Sequence, residues 1–307
     1  SVMSTFLEIA YNIIAPIFLV GGVAVNLNRR LHVDPRPLSQ LVVYLFTPFM
    51  VLDGIANSDL TGSETGQLVA IALGVSALTA LAGWLVARAI RLDRRLIGVF
   101  VLSVTLINAG NYGIPLNRFA FGEPGEARAM IYFVITVAMS NTLGIFLASS
   151  GTVSARRALR NVLSVPLPYA VVLGFALNAA DATLPVPLAR ATELLGGAAI
   201  PAMLTVLGLQ LSRASLRLDV LRPALVAAGL RLAVAPVIAL ALVVLLNMSG
   251  VTRQVSIVQS AMPTAVIGGV LATEFGGRED AEFVTSVILL STAISMLTLS
   301  ILLSLVM

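Results

Sequence analysis

The segment Asn108-Ala109-Gly110-Asn111-Tyr112-Gly113-Ile114-Pro115-Leu116-Asn117 decides the fold, because it is a poor helix former set inside an apolar run. Three Asn, two Gly and one Pro fall within these ten residues. Each Gly costs a helix about 1 kcal/mol relative to Ala. Pro115 has no N–H to donate and its ring crowds the preceding turn. The surrounding run, Leu96–Arg118, reaches the roughly 20 apolar residues needed to cross a bilayer. Backbone groups freed inside hydrocarbon are costly unless something satisfies them. The segment therefore predicts a break in a membrane helix that faces other protein or a wet cavity. Asn108 lies about 12 residues into the run, about 18 Å along a helix and near the membrane midplane.

Similar runs recur along the whole chain. They cover Phe6–Val25, Leu38–Ala56, Gly66–Ile90, Leu96–Arg118, Ala127–Ser149, Val162–Ala180, Pro187–Leu209, Leu221–Asn247, Arg253–Phe275 and Glu282–Val306. Of 307 residues 58% are hydrophobic and only 11% charged, with a mean hydropathy of +0.99. A soluble domain carries about 25% charged residues. The reading is a single all-α integral membrane domain over residues 1–307, with the lipid bilayer as its surroundings. The first run has no basic segment or small-residue cleavage site around it and reads as a span, not a signal peptide.

The basic residues sit in short loops, so the net charge of +4 reflects topology and not a nucleic-acid partner. All 19 are Arg, which excludes a Schiff-base lysine. With no Cys, thiolate chemistry, disulfides and cysteine metal sites are also excluded. The loops after the odd-numbered spans hold Arg29, Arg30 and Arg36; Arg88, Arg91, Arg94 and Arg95; Arg156, Arg157 and Arg160; Arg213, Arg217 and Arg222; and Arg278. The opposite side holds only Arg118, Arg128, Arg190 and Arg253. This bias puts the odd-numbered loops in the cytoplasm and both termini outside the inner or plasma membrane.

Two loops resemble one another, Phe121-Gly122-Glu123-Pro124-Gly125-Glu126-Ala127 and Phe275-Gly276-Gly277-Arg278-Glu279-Asp280-Ala281, at an offset of 154 residues. That offset pairs the fourth span with the ninth and the fifth with the tenth. A repeat of five spans must run inverted in its second copy, a plan common among secondary transporters. Inverted repeats are thus expected over about 1–153 and 154–307. The ninth span has its own interruption, Gln259-Ser260-Ala261-Met262-Pro263-Thr264 followed by Gly268-Gly269, and the offset carries Pro263 into the Asn108–Asn111 segment. Two broken helices meeting at the midplane present helix N-termini suited to an anion.

These motifs resemble the auxin efflux carrier family. The resemblance rests on Asn108 to Leu116, on Gln259 to Thr264 with Ala272-Thr273-Glu274-Phe275-Gly276, and on Tyr44-Leu45-Phe46-Thr47-Pro48-Phe49 in the second span. It runs over essentially the whole chain and is closest to compact bacterial members, which lack the long cytoplasmic loop of the plant carriers. The resemblance implies that helices 4 and 9 cross, with substrate held at the crossing. It also implies a scaffold of helices 1, 2, 6 and 7 (about 1–60 and 158–212), often dimeric. A transport part would comprise helices 3–5 and 8–10 (about 64–150 and 218–307). Plant members have Pro in both crossing helices; here Pro263 supplies one, and Ile107 stands at the other position, beside Asn108.

The expected activity is secondary transport of a small organic anion by alternating access. Auxin-like aromatic acids and dicarboxylates such as malonate are both implied by the resemblance, and the further expected partners are a coupling proton or sodium and a second copy of the chain. Substrate contacts are expected from Asn108, Asn111, Tyr112, Gln259, Pro263, Thr264 and Asn141. Asp53 and Glu193, toward the outer ends of spans 2 and 7, are candidates for a coupling proton or simply interfacial carboxylates. Arg231, about nine residues into the eighth span, either snorkels to the cytoplasmic face or meets an anionic substrate. Alternatives are a sodium-coupled carrier like the bile-acid symporters, a passive channel, or an intramembrane enzyme. The last would need a catalytic pair or metal ligands, whereas the only His, His32, lies in a loop and no G-x-S-x-G or H-E-x-x-H occurs. No cofactor is implied.

Overall fold

The computed structural model describes residues 2–148 and 160–307. Ser149, Arg156, Arg157, the junction expected at 153/154 and the scaffold boundary at 158 lie outside the described residues. In chain order the helices are α1 (Phe6–Leu31), α2 (Pro35–Ala56), α3 (Gly62–Ala89), α4 (Arg94–Thr105), α5 (Ala109–Ala148), α6 (Leu167–Ala179), α7 (Val186–Arg213), α8 (Leu221–Leu245), α9 (Gly250–Ser260), α10 (Val266–Phe275) and α11 (Arg278–Val306). Seven of them, all but α4, α6, α9 and α10, are long and apolar enough to cross a membrane. No strand is present among the described residues.

The expected fourth and ninth runs are each divided in two. α5 carries the second part of the fourth run and the fifth as far as Ala148, bending at Gly122, whose φ of 66° is open to glycine, with Pro124 following. Within the sixth run, Val162–Ala180, the helix α6 covers 13 residues. Local signals account for several starts. Pro35 opens α2 after Asp34, whose carboxylate accepts from the Arg36 N–H. Thr61 and Glu64 form a capping box on α3.

Proline has a second signature in these helices. Wide π-turns occupy Ala10–Ile14, Val42–Phe46, Ala109–Gly113 and Leu230–Val234, and Pro16, Pro48, Pro115 and Pro236 each stand two residues beyond one. A proline at position i cannot donate to the carbonyl at i−4 and clashes with it, so the preceding turn opens to the i+5 pattern. Pro115 is thus accommodated inside α5 and is not the break. The break lies earlier, at Leu106–Asn108, a correction to the position the composition suggested.

The helices pack through small residues, as expected where lipid removes the hydrophobic drive between helices. α1 and α7 meet at Gly21 and Gly208, where an added Cβ on Gly208 would lie 2.2 Å from the Gly21 carbonyl oxygen. α6 meets α2 at Gly174 against Ile55, and α7 meets α2 at Gly196 against the Met50 backbone. α3 packs on α4, α5 and α8, while α11 packs on α8 and α10. At the end of the bundle where α11 starts, Arg217 pairs with Asp219 and Glu282, and Arg217 holds the Asp219 carboxyl below its usual range.

Candidate functional site

The two breaks meet. Leu106 to Asn108, between α4 and α5, runs extended beside Ala261 to Ala265, between α9 and α10. Ile107 and Thr264 form an antiparallel bridge. The Asn108 N–H donates to the Pro263 carbonyl at 2.9 Å, and the Ala265 N–H donates to the Leu106 carbonyl at 2.9 Å. Breaking both helices thus frees backbone groups that satisfy one another across the crossing, the condition for irregular backbone at membrane depth.

A helix end leaves four carbonyls without intrahelical partners; here three of the last four of α4 and all of the last four of α9 have one. At the end of α4, the Leu102 carbonyl accepts from the Leu106 N–H at 3.0 Å and the Ser103 carbonyl from the Thr264 hydroxyl at 2.8 Å. The Val104 carbonyl accepts from Arg231 Nη1 at 2.9 Å. At the end of α9, the Ile257 and Val258 carbonyls accept from the Ala261 N–H at 3.2 and 3.1 Å, and the Gln259 carbonyl from the Met262 N–H at 3.2 Å. The Ser260 carbonyl accepts from Arg231 Nη2.

The other side of the crossing carries two helix starts, α5 at Ala109 and α10 at Val266, which bring partial positive charge and free N–H groups. Asn108 is buried and its side-chain Nδ2 has no partner. Gln259 is fully buried; its Nε2 donates weakly to the Ala109 and Ala129 carbonyls at 3.3 Å, while its Oε1 is unpaired. Among the described residues the buried charged side chains are Arg128, Arg231 and Asp280, and only Arg231 touches the crossing. A region with two helix N-termini, an unpaired amide donor and no buried carboxylate has the groups to take an anion, with the Gln259 Oε1 left as an unpaired acceptor beside them.

Of the other expected residues, Pro263 and Thr264 lie in the crossing itself, and the Thr264 N–H donates to Ser291 Oγ at 3.1 Å. Asn111 is half-buried in the first turn after the break. Tyr112 is fully buried, edge-on to Phe18 of α1 with ring centroids 5.8 Å apart, its hydroxyl 3.4 Å from Ser295 Oγ. Asn141 donates to the Val137 carbonyl of its own helix at 2.9 Å and makes no bond to the crossing. Arg231 is fully buried, so it does not snorkel, and among the described residues no carboxylate pairs with it.

Asp53 and Glu193 come together elsewhere, on a cavity of about 660 Å³ between α2, α5 and α7. Arg118, Glu123 and Glu126 line it too, with Arg118 2.9 Å from Glu126 and 3.3 Å from Glu123. Asp53 accepts from Asn57 Nδ2 at 3.0 Å. Hydroxyls outside the expected contacts also line the crossing. Tyr132 Oη and Ser260 Oγ are 3.0 Å apart, and Ser291 and Ser295 face the crossing from α11. Their four-residue spacing on one helix face was the available signal.

A family model described as membrane transport protein matches residues 14–154 and again 150–303. An uncharacterized transporter of Methanothermobacter thermautotrophicus is 28% identical over 270 residues, 87% of each chain. An uncharacterized transporter of Methanocaldococcus jannaschii is 29% identical over 216 residues, 68% of each chain.

Proposed function

This chain belongs to the membrane transport protein family, the auxin efflux carriers, and on that premise we propose that it is a secondary active transporter of a small organic anion, working by alternating access at the crossing of its two broken helices. One observation carries the reading. The extended segments around Asn108 and Pro263 hydrogen-bond to each other in a buried place, beside two helix starts and an unpaired Asn108 amide. A substrate carboxylate bound there would accept from Asn108 Nδ2 and from free N–H groups at the starts of α5 and α10, with Asn111 and Thr264 beside it.

Ten spans in two inverted halves fit this use. Support comes from two ion pairs related by nearly the same offset as the loops: Arg128 with Glu64, and Glu282 with Arg217. Each ties the helix after a hairpin tip to the region opening the third or eighth span, with the signs exchanged. The close packing of α1, α2, α6 and α7 on one another, and of the remaining helices on one another, favours a scaffold of about 1–60 and 158–212 and a moving part of about 64–150 and 218–307. In this reading the chain sits in the inner or plasma membrane with both termini outside, as a homodimer. Asp53 or Glu193 would carry a coupling proton. Sodium coupling, as in bile-acid symporters, is the second reading; sodium-dependent thermal stabilisation would favour it.

The test starts from a stabilisation screen of organic acids, malonate and indole-3-acetate among them, at varied pH and sodium. Uptake of the stabilising acid into proteoliposomes is then measured for Asn108→Ala with Asn111→Ala. Loss of uptake with the fold retained is expected; undiminished uptake sinks the assignment.

A further inference from the structure

Arg231 sits within the π-turn Leu230–Val234 of α8, fully buried and, among the described residues, without an acidic partner. A lone guanidinium in a dry interior is tolerated only where something else supplies negative charge. Its two terminal nitrogens go to two carbonyls, Val104 near the end of α4 and Ser260 at the end of α9. Those helices end at the crossing and are joined there by an antiparallel bridge, so one fork spans the junction. Each helix C-terminus carries about −0.5 of an elementary charge. Two of them together match one guanidinium.

We propose that Arg231 is a positioning residue of the crossing: its guanidinium ties the C-terminal ends of α4 and α9 together and neutralises their combined charge, leaving the N-terminal ends of α5 and α10 free to attract an anion. The π-turn ahead of Pro236 is what widens α8 at this point, a local change of the kind that recurs at functional sites. The offset of 154 residues maps Arg231 onto Ala77 of α3, so the other half has no such charge. The crossing is therefore electrostatically one-sided although the backbone breaks are paired. Arg suits this task better than Lys, because its planar fork holds two donor nitrogens apart at a fixed spacing, whereas an ammonium must bring both carbonyls to one atom.

This inference rests on reading the crossing as the transport site, but its readout needs no substrate, so the two can fail separately. Hydrogen exchange followed by mass spectrometry is measured on the full chain in lipid nanodiscs for the wild type, Arg231→Met and Arg231→Lys. In Arg231→Met the amides of 105–109 and 261–266 should both exchange at least about tenfold faster. In Arg231→Lys, with a single donor nitrogen, exchange should rise by a smaller factor than in the Met variant. Unchanged protection at both stretches in Arg231→Met, or faster exchange confined to 226–236, would overturn the proposal. So would equal effects of Lys and Met. If Arg231→Met does not fold, Arg231→Gln, which keeps an amide donor but no charge, takes its place; faster exchange at both stretches is expected, and unchanged protection there would overturn the proposal.

Discussion

Thr264 offers a clean test of whether the crossing is held by the bonds described. Its hydroxyl, fully buried, donates to the Ser103 carbonyl at 2.8 Å, while its N–H separately donates to Ser291 Oγ. Thr264→Val keeps the shape and the N–H bond and removes only the hydroxyl. The Ser103 carbonyl lies in the last turn of α4, where intrahelical donors run out. Leaving a buried acceptor unsatisfied costs about 1–3 kcal/mol in soluble proteins. Hydrogen bonds between membrane helices average about 0.6 and reach about 1.7 kcal/mol. A helix-end carbonyl with no alternative partner belongs near the top of that range, so a loss of about 1–1.5 kcal/mol is expected, roughly a tenfold rise in the unfolding constant. Thr79 of α3 is the control: it is equally buried, but its hydroxyl has no partner. Thr79→Val should be neutral or stabilising by up to about 1 kcal/mol. Reversible unfolding in SDS titrations, in mixed micelles, measures both. The reasoning fails if Thr264→Val is as stable as the wild type, or if Thr79→Val loses as much as Thr264→Val.

Two further changes probe the packing. In Gly208→Ala the new Cβ would lie 2.2 Å from the Gly21 carbonyl oxygen and 2.8 Å from Ala24 Cβ, so α1 and α7 must separate; about 1–3 kcal/mol of destabilisation should appear in the same titration. Gly66→Ala, with nothing within 4 Å of the new methyl, should be neutral or gain up to about 1 kcal/mol, and equal losses in the two variants would contradict this packing. Arg128 is the buried centre of a network with Glu64 at 2.7 Å, Asp59 at 3.0 Å and Thr252 at 2.7 Å. Its partners keep some water, with Glu64 25% and Asp59 70% exposed, so Arg128→Met should cost about 2–3 kcal/mol, less than for a fully buried pair. A loss below about 0.5 kcal/mol would show that the network contributes nothing to holding the helices.

Some of the site was legible in the chain and some was not. Pro263 marked the second break through its register with the Asn108–Asn111 segment, since a proline in an apolar run is not by itself a break. Asn108 to Asn111 marked the first break only approximately. The segment's poor helix propensity pointed to an interruption, but the extended part falls at Leu106–Asn108, ahead of the Gly residues, because the bridge to Thr264 selects it. Pro115 looked like part of the same defect and is absorbed by a π-turn, as are Pro16, Pro48 and Pro236. Asn141 has the composition of a site residue, yet its amide returns to its own helix. Asp53 and Glu193 stand 140 residues apart in the chain, and only folding sets them on one cavity with Arg118 and Glu126.

Membrane residence, the multi-pass helical character and the presence of two interruptions follow from the sequence alone. Hydropathy, helix propensity and proline chemistry are local properties, written into neighbouring residues. What occupies the space around those interruptions is not local. Arg231 lies 127 residues from Val104 and 29 from Ser260, and no spacing rule joins the three. Its role was open between snorkelling and substrate contact because either would satisfy a lone charge. The tertiary structure brings two helix C-termini to this guanidinium, whose terminal nitrogens donate to the Val104 and Ser260 carbonyls.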